Sequence, residues 1–288
     1  MAEADELQHQ LLRAQNPDGG WGYENTSSWT EPTALSLLAL EARNACGAPY
    51  QRGHAWLAQI QRSDGGWPPK PSVPISTWVT SLATLALSGD QSAAQRRRGV
   101  NWLLSQITPE PGLILRLAAQ IRERPVSLPQ GGGSPWFPGT AAWVSPTASS
   151  ILAFSAARKE ISDLQPHIHR AREYLLSRRC SDGGWNHGGS KYRSENANSY
   201  PETTGMALLA LHGLPVSELS VSLRRAQALL ESPGSAEGLS WLQLGLFRHG
   251  VDALDTNISF ECRTTRDVSL RLLALEARSS TNKLVVEL

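Results

Sequence analysis

Two kinds of helical stretch alternate along the 288 residues of the chain. In the first kind, Ala, Leu, Gly and Ser lie on nearly every face of the predicted helix over about three turns, which is typical of a helix buried on all sides. In the second kind, Ile168, Ala171 and Leu175 form an apolar stripe, and Arg170 and Arg172 lie off it. The pattern therefore predicts buried inner helices and amphipathic outer helices. Five copies of the inner kind begin at Trp29, Ser76, Trp143, Tyr200 and Thr264.

A recurring turn separates the outer stretches from the inner stretches that follow them. It reads AQNPDGGW at residues 14–21, IQRSDGGW at 60–67 and RRCSDGGW up to Trp185, with a degenerate copy, LPQGGGSPW, that closes at Trp136. The glycines permit the positive φ that ends a helix, and the tryptophan packs the turn against a neighbour. Gln15 and Gln61, six residues before their tryptophans, are placed to hydrogen-bond an adjacent repeat. Such recurrence is the signature of a repeat architecture.

Stacked pairs of inner and outer helices either close into a ring or open into a solenoid. The ring is favoured because there are only about five pairs, and because the inner helices are too apolar to face water on a concave surface. We therefore predict an all-α fold, an α/α toroid (barrel) of five to six helical hairpin repeats. Residues 1–288 are expected to form it as a single domain.

Charge and cysteine content narrow the classes of function. The chain carries 27 Lys plus Arg against 26 Asp plus Glu, so it lacks the basic field that binds nucleic acid. Cys46, Cys180 and Cys262 form no Cys-x-x-Cys pair and predict neither a disulfide framework nor a zinc site. The polar N-terminus lacks the features of a secretory signal, and no apolar run has membrane-spanning length. We expect a cytoplasmic protein, with peripheral membrane contact through an apolar surface patch as an alternative.

The repeat turn resembles the QW motif of triterpene cyclases such as the squalene–hopene cyclases. A glutamine, a short spacer, glycine and tryptophan end the outer helix of each α/α repeat. The repeats of protein prenyltransferase β subunits are also similar, and at least four copies cover nearly the whole chain. The resemblance implies the α/α toroid fold of this superfamily. It also implies an isoprenoid pocket in the middle of the ring, lined by the N-terminal ends of the inner helices and their loops.

The resemblance also points to candidate acids at the starts of the inner helices. Class II terpene cyclases carry an Asp-x-Asp-Asp-Thr motif there, whose central carboxylic acid protonates an alkene or epoxide, and this chain has no such motif. Overlay of the inner stretches puts Glu31 at the place of the proton donor and Glu202 at the equivalent place of another repeat. Two carboxyl groups that face the ring interior together would keep one of them protonated. Helix capping in the first turn is the alternative role for both residues.

A polar segment from His249 to Asp267 supplies further candidates. Asp255, and Arg263 with Asp267, would form an acid site or a site for a diphosphate, and a loop with helix caps and surface ion pairs is the alternative. Prenyltransferase β subunits bind zinc through an Asp-x-Cys pair and a distant His, and only Asp267 matches that set here. We therefore expect no zinc and no other cofactor, with Mg²⁺ entering only if the substrate carries a diphosphate.

Aromatic residues stand at the same helix starts and complete the predicted site. Their rings bind a polyprenyl chain by burial and stabilise carbocations through the π face. The predicted function is that of an isoprenoid-handling enzyme, class II terpene cyclase-like or prenyltransferase-like, that uses acid-initiated carbocation chemistry in a central apolar cavity. The alternative is a non-catalytic toroid that binds a lipid, or that docks a partner subunit as prenyltransferase β subunits do. The substrate-binding candidates are Trp29, Trp78, Trp143, Tyr200 and Arg263.

Overall fold

The computed structural model describes residues 2–109, 131–188, 198–254, 258 and 260–285. Within these ranges the regular structure is helical, apart from a two-stranded antiparallel ribbon. The ribbon pairs β1 (Ser134–Pro135) with β2 (Ala142–Trp143) and places Ser134 opposite Trp143. The prediction of an all-α fold is confirmed.

Six inner helices and five outer helices make up the described part of the chain. The inner helices are α2 (Thr30–Ala42), α4 (Val79–Ala86), α6 (Val144–Ala157), α8 (Pro201–Ala210), α10 (Ala236–Arg248) and α11 (Thr265–Leu275). The outer helices are α1 (Ala2–Arg13), α3 (Ala48–Gln59), α5 (Ala93–Gln106), α7 (Gln165–Ser177) and α9 (Val216–Leu229), and a 3-10 turn at Asp90–Ser92 precedes α5. None of the described helices is both long and apolar enough to cross a membrane.

The inner helices close into a complete ring. Helix α2 packs against α4, α4 against α6, α6 against α8, α8 against α10, and α10 against α11. Helix α11 returns to α2, where Ser36 Oγ lies 3.2 Å from Ser269 Oγ. Helices α8 and α10 approach so closely that a Cβ on Gly205 would lie 2.2 Å from the carbonyl carbon of Trp241, so the contact requires glycine. The molecule is therefore the α/α toroid that the sequence predicts.

Helix α10 is not among the five inner helices that the sequence predicts. The segment before it lacks the Asp-Gly-Gly-Trp turn, and Ser235 caps the helix instead, with its Oγ accepting the N–H of Gly238 at 3.0 Å. Nearly every residue from Ala236 to Leu246 is buried, as in the other inner helices. The ring is therefore complete with six inner helices.

The repeat turn connects an outer helix to the next inner helix through a constant set of hydrogen bonds. In three repeats the indole N–H of a fully buried tryptophan donates to a backbone carbonyl in the last turn of the preceding outer helix. These bonds join Trp21 to Leu11 at 2.8 Å, Trp67 to Leu57 at 2.7 Å and Trp185 to Leu175 at 2.7 Å. The backbone N–H of the same tryptophans donates to a threonine hydroxyl at the start of the inner helix. The threonines are Thr33 at 2.8 Å, Thr80 at 2.9 Å and Thr204 at 3.0 Å.

Glutamine and glycine attach each turn to the next outer helix. Gln61 Nε2 donates to the carbonyl of Gly65 at 2.8 Å and to that of Gln95, in the first turn of α5, at 2.9 Å. Gly65 has a φ of 92°, and a Cβ there would lie 2.8 Å from the carbonyl oxygen of Arg98 in α5. The predicted bond from the glutamine to an adjacent repeat is thus present.

The degenerate copy of the turn ends two residues earlier than the sequence suggests. The backbone N–H of Ser134 donates to Thr147 Oγ1 at 2.8 Å, so Ser134 takes the place that tryptophan holds in the other repeats. Gly132 has a φ of 94° and corresponds to Gly65. The prediction that Trp136 closes this turn is wrong, because the run of three glycines shifts the turn and leaves Trp136 beyond it.

Candidate functional site

The six inner helices enclose a cavity of about 310 Å³ at their N-terminal ends. Each inner helix contributes two lining side chains that are four positions apart, and in α4 the first of the two is the N-cap residue. The spacing follows because residues i and i+4 lie above one another on a helix face. The upper layer, here called the rim, consists of Glu31, Trp78, Ser145, Glu202, Glu237 and Arg266. The lower layer, the floor, consists of Leu35, Leu82, Ser149, Met206, Trp241 and Leu270. The cavity therefore has a polar, charged mouth and a mainly apolar base.

Glu31 is a buried carboxyl group held by two partners. Its Oε2 accepts a short hydrogen bond from the hydroxyl of Tyr23, and its Oε1 lies 3.8 Å from Nη1 of Arg266. Only 13% of its side chain is exposed. Burial raises the pKa of Glu31 above its ordinary value of 4.5, against the opposing effects of Arg266 and Tyr23. Burial and the neighbouring Glu31 also raise the pKa of Tyr23, which keeps its hydroxyl protonated as the donor.

Arg266 links Glu31 to a second carboxyl group at the rim. Its Nη2 lies 2.6 Å from Oε2 of Glu237. Burial raises the pKa of Glu237, the charge of Arg266 lowers it, and the charges of Glu31 and Glu202 raise it further. The rim is therefore an electrostatically coupled group of three carboxyl groups and one guanidinium.

Glu31 and Glu202 line the same cavity from two different repeats, as the overlay of the inner stretches predicts. Neither acts as a helix cap, because α2 and α8 have no side-chain cap hydrogen bond. A role in catalysis for either residue stays a prediction.

Three other predicted residues do not reach the described cavity. Asp267 forms a capping box with Thr264 at the start of α11. Asp267 Oδ2 accepts the backbone N–H of Thr264 at 3.1 Å, and Thr264 Oγ1 accepts the backbone N–H of Asp267 at 3.1 Å. Arg263 pairs with Glu261 at 3.3 Å, and 78% of each side chain is exposed. In this structure Asp267 caps a helix and Arg263 lies on the surface, so neither lines the central cavity, and a role for them in a site stays a prediction. Asp255 lies outside the described residues.

Backbone conformation decides which of the predicted aromatic residues line the cavity. Trp78 has helical dihedral angles, so its side chain continues the row of Leu82 into the cavity. Trp29, Trp143 and Tyr200 are N-cap residues with extended backbone, and their side chains leave the helix in another direction.

The side chains of these three N-cap residues occupy the surroundings of the cavity and not its lining. Trp29 packs edge-on against Tyr23 with ring centroids 5.5 Å apart. Lys70 Nζ lies over the Trp29 ring, 4.8 Å from its centroid. Trp143 belongs to β2, and Tyr200, with 43% of its surface exposed, packs 5.1 Å from the ring of His187. Trp29, Trp143 and Tyr200 thus lie beside the cavity and do not line it, and substrate binding by them stays a prediction.

Several lining residues are missed by the sequence interpretation. Trp136 packs edge-on against Trp78 with centroids 4.7 Å apart, and the N–H of Trp78 donates to the Trp136 carbonyl at 3.1 Å. Glu237 and Arg266 each hold the second position of an inner helix, as Glu31 and Glu202 do. That shared position is the signal that would have found them. His187 and Trp241 are further missed lining residues, and Tyr23, which hydrogen-bonds Glu31 from outside the lining, is also missed.

The described residues contain no group of three or more His, Cys, Asp or Glu side chains arranged to hold a metal ion. The three rim glutamates are included in that search, since all of them are described. Arg266 is the charged partner of two of them, Glu31 and Glu237.

Comparisons with known proteins agree with this architecture. No protein-family model matches the chain. A probable squalene–hopene cyclase from Sinorhizobium fredii is 24% identical over 250 residues, which cover 81% of this chain and 36% of the relative. The chain therefore spans about a third of the length of the curated relative that it matches.

Solved structures with the same fold include enzymes of different activity. A type II terpene cyclase from Scytonema, in complex with its substrate geranylgeranyl dihydroxybenzoate, matches with a TM-score of 0.55 and 16% identity, over 95% of this chain and 77% of that one. An α-amylase from Clostridium perfringens matches with a TM-score of 0.61 and 9% identity, over 96% and 97%. The repeat turns and the closed ring of inner helices make the chain an α/α toroid, and its fold is similar to that of type II terpene cyclases.

Proposed function

We propose that the protein is an isoprenoid cyclase or isomerase that starts carbocation chemistry by protonating a polyprenyl chain in the central cavity. The observation that carries this proposal is Glu31, a buried carboxyl group at the mouth of a cavity with a mainly apolar floor. The likeness to a squalene–hopene cyclase and to type II terpene cyclases supports it.

In this proposal Glu31 supplies the proton. Burial raises its pKa and so favours the acid form, which can donate a proton. When the proton moves to an alkene carbon, a C–H bond forms and the positive charge passes to the neighbouring carbon. The carboxylate left behind is stabilised by the hydroxyl of Tyr23 and by the charge of Arg266. These two partners would supply the support that the central acid of an Asp-x-Asp-Asp-Thr motif receives from its neighbouring aspartates.

Aromatic rings in the cavity support the later steps. Trp78, Trp136 and Trp241 all line it, and an indole face stabilises a nearby cation by roughly 0.5 to 2 kcal/mol. An internal double bond then attacks the cation and closes a ring, and the last cation loses a proton to a base. Protons gained and lost balance, so the product is an isomer of the substrate.

The size of the cavity points to a short substrate. About 310 Å³ lies at the lower end of the range of roughly 300 to 1,000 Å³ that is usual for small-molecule pockets. The chemistry as proposed uses no cofactor, and Mg²⁺ would be required only for a diphosphate substrate.

Exposed apolar side chains near the mouth support peripheral membrane contact. Ile75 and Phe137 are 39% and 48% exposed, and both lie on loops that lead to an inner helix, α4 and α6. Tyr200 is exposed at the start of α8, next in the ring. An apolar substrate could enter the mouth directly from a lipid surface at this place.

A second candidate function is hydrolysis of a glycosidic bond. The observation in its favour is the set of three rim glutamates beside indole rings, because glycosidases use a pair of carboxyl groups and aromatic side chains stack on sugars. The α-amylase with the same fold is consistent with it. The sequence likeness to a squalene–hopene cyclase favours the isoprenoid proposal.

The deciding experiment is an activity assay on Glu31→Gln. Purified wild-type protein is incubated with polyprenyl substrates and, separately, with oligosaccharides, and products are analysed by mass spectrometry. Wild type should form a cyclised or isomerised hydrocarbon, and Glu31→Gln should lose at least about 100-fold in turnover because glutamine donates no proton.

Glu276→Gln is the matched control for this assay. Glu276 is also half-buried and ion-paired, with Oε1 2.6 Å from Arg43 Nη1, but it lies at the far end of α11. This variant should keep wild-type turnover. Co-purified lipid without turnover would contradict the enzyme proposal and favour a lipid-binding toroid, and sugar release would favour the second candidate.

A further inference from the structure

The rim of the cavity carries more negative than positive groups. The acidic residues of the rim are Glu31, Glu202 and Glu237. Arg266 is the one Lys or Arg among the described residues that line the cavity. Three acidic side chains thus share the mouth with one guanidinium. The mouth therefore has no surplus positive charge for an anionic ligand.

Arg266 is already engaged with its carboxylate neighbours. It lies 2.6 Å from Glu237 and 3.8 Å from Glu31, so two of its three guanidinium nitrogens face acids. Its Nε is buried and has no hydrogen-bond partner among the described residues. A ligand anion would have to compete with Glu237 for the guanidinium, and it would approach Glu202 at the same time.

Glu202 is the rim carboxylate that is free to bind. Among the described residues it has no hydrogen bond and no ion pair, although it lines the cavity. Met206, one turn further along α8, lies below it on the floor. A ligand with an apolar tail on the floor would therefore place its polar end beside Glu202.

The positive ends of the inner helices do not reverse this charge balance. Helix N-termini attract anions through their backbone N–H groups. Here the first turns of four inner helices already hold an acidic residue, namely Glu31, Glu202, Glu237 and Asp267. The helix dipoles are thus largely used to stabilise the protein's own carboxylates.

We propose that the substrate is a polyprenyl compound whose polar end carries no negative charge and donates hydrogen bonds to Glu202, as an amine or alcohol does and a diphosphate does not. This inference rests on the proposed isoprenoid function and narrows it to one class of head group. Glu202 anchors the head at the rim, while the chain lies on the floor between Leu35, Leu82 and Met206.

Binding of three farnesyl compounds tests the inference without any need for turnover. Farnesylamine, farnesol and farnesyl diphosphate, the last with and without Mg²⁺, are titrated against the full chain, and quenching of tryptophan fluorescence reports occupancy. Trp78, Trp136 and Trp241 line the cavity and supply the signal. The amine and the alcohol should each bind at least about tenfold more tightly than the diphosphate, because a like charge at the rim costs more than 1.4 kcal/mol at an effective dielectric of about 20.

Glu202→Gln separates the role of the head group from that of the tail. This variant should lose most of the preference for the amine over the diphosphate and keep the affinity for farnesol within about threefold, because the amide still accepts a hydrogen bond. Glu276→Gln, the control remote from the cavity, should keep the full preference.

Two results would overturn the inference, and they are distinguishable. Tightest binding of the diphosphate, with or without Mg²⁺, would reject the head-group class and leave the isoprenoid function standing. Failure of all three compounds to bind, with the wild-type protein folded by circular dichroism, would reject the isoprenoid function itself.

Discussion

The acid strength of Glu31 depends on opposing influences from its immediate neighbours. Burial raises its pKa and so favours the protonated form, while Tyr23 and Arg266 favour the carboxylate. An acid that protonates an alkene needs both properties, because it must hold its proton until substrate binds and must be stabilised once the proton leaves. The contribution of Tyr23 can be tested by itself, because its hydroxyl can be removed without a change in the charge of the rim.

Removal of the Tyr23 hydroxyl should change the pH profile in a direction that identifies Glu31 as the acid. Tyr23→Phe deletes a hydrogen bond that lowers the pKa of Glu31, so that pKa rises further. Activity that requires protonated Glu31 is lost as pH rises through this pKa. The alkaline limb of the kcat profile should therefore move to higher pH, while the maximal kcat falls because the carboxylate product is less stable.

Tyr200→Phe provides the control for that profile, because Tyr200 is exposed near the mouth and does not line the cavity. Its profile should match that of wild type. An alkaline limb that stays in place in Tyr23→Phe, or that moves to lower pH, would remove Glu31 from the role of the titrating acid.

At the scale of elements, a threonine at the start of the inner helix fixes each repeat turn. Its hydroxyl accepts the backbone N–H of the residue that ends the turn, in the three tryptophan-containing repeats and in the copy that ends at Ser134. Since that N–H is buried, it has no water to replace the hydroxyl. This bond keeps the outer helix, the turn and the inner helix in register, and so places the residues at the start of the inner helix at the rim.

Two threonines at the start of α4 offer a matched test of this bond. Thr80 and Thr77 are both fully buried, but Thr80 Oγ1 accepts the N–H of Trp67 while Thr77 Oγ1 has no partner among the described residues. Thr80→Val should lower the free energy of unfolding by about 1 to 3 kcal/mol, because it leaves a buried donor unpaired. Thr77→Val should be neutral or slightly stabilising, and urea denaturation measures both. Equal losses in the two variants would show that packing, and not the hydrogen bond, holds the turn.

At the scale of the whole molecule, the two ends of the chain complete the ring. Helix α11 packs against α2 and α1, and Lys283, in the segment after α11, lies 3.0 Å from Glu41 at the end of α2. The same closure brings Arg266 of α11 beside Glu31 of α2, a contact between residues far apart in sequence. The rim therefore exists only in the closed ring.

The sequence predicts the fold well because its strongest signals are local. Small apolar residues on every helix face and glycine-tryptophan turns recur through the chain, and they identify five of the six inner helices. Helix α10 escapes detection because its start carries a serine cap in place of the turn. The site is predicted in part: Glu31, Glu202 and Trp78 follow from alignment of the repeats. Glu237 and Arg266 do not, because their place depends on α10 and on the closure of the ring.

The most direct test of the central claim is the isotope content of the product formed in D₂O. If Glu31 protonates the substrate, its carboxyl group exchanges with solvent and delivers deuterium to carbon. We predict that the wild-type protein converts its polyprenyl substrate to an isomer with one carbon-bound deuterium per molecule, detected as a gain of one mass unit, and that Glu31→Gln returns the substrate unlabelled. A cyclised product that contains no deuterium would contradict the account, because the carbocation would then have arisen by loss of a leaving group and not from an acid at the rim of the cavity.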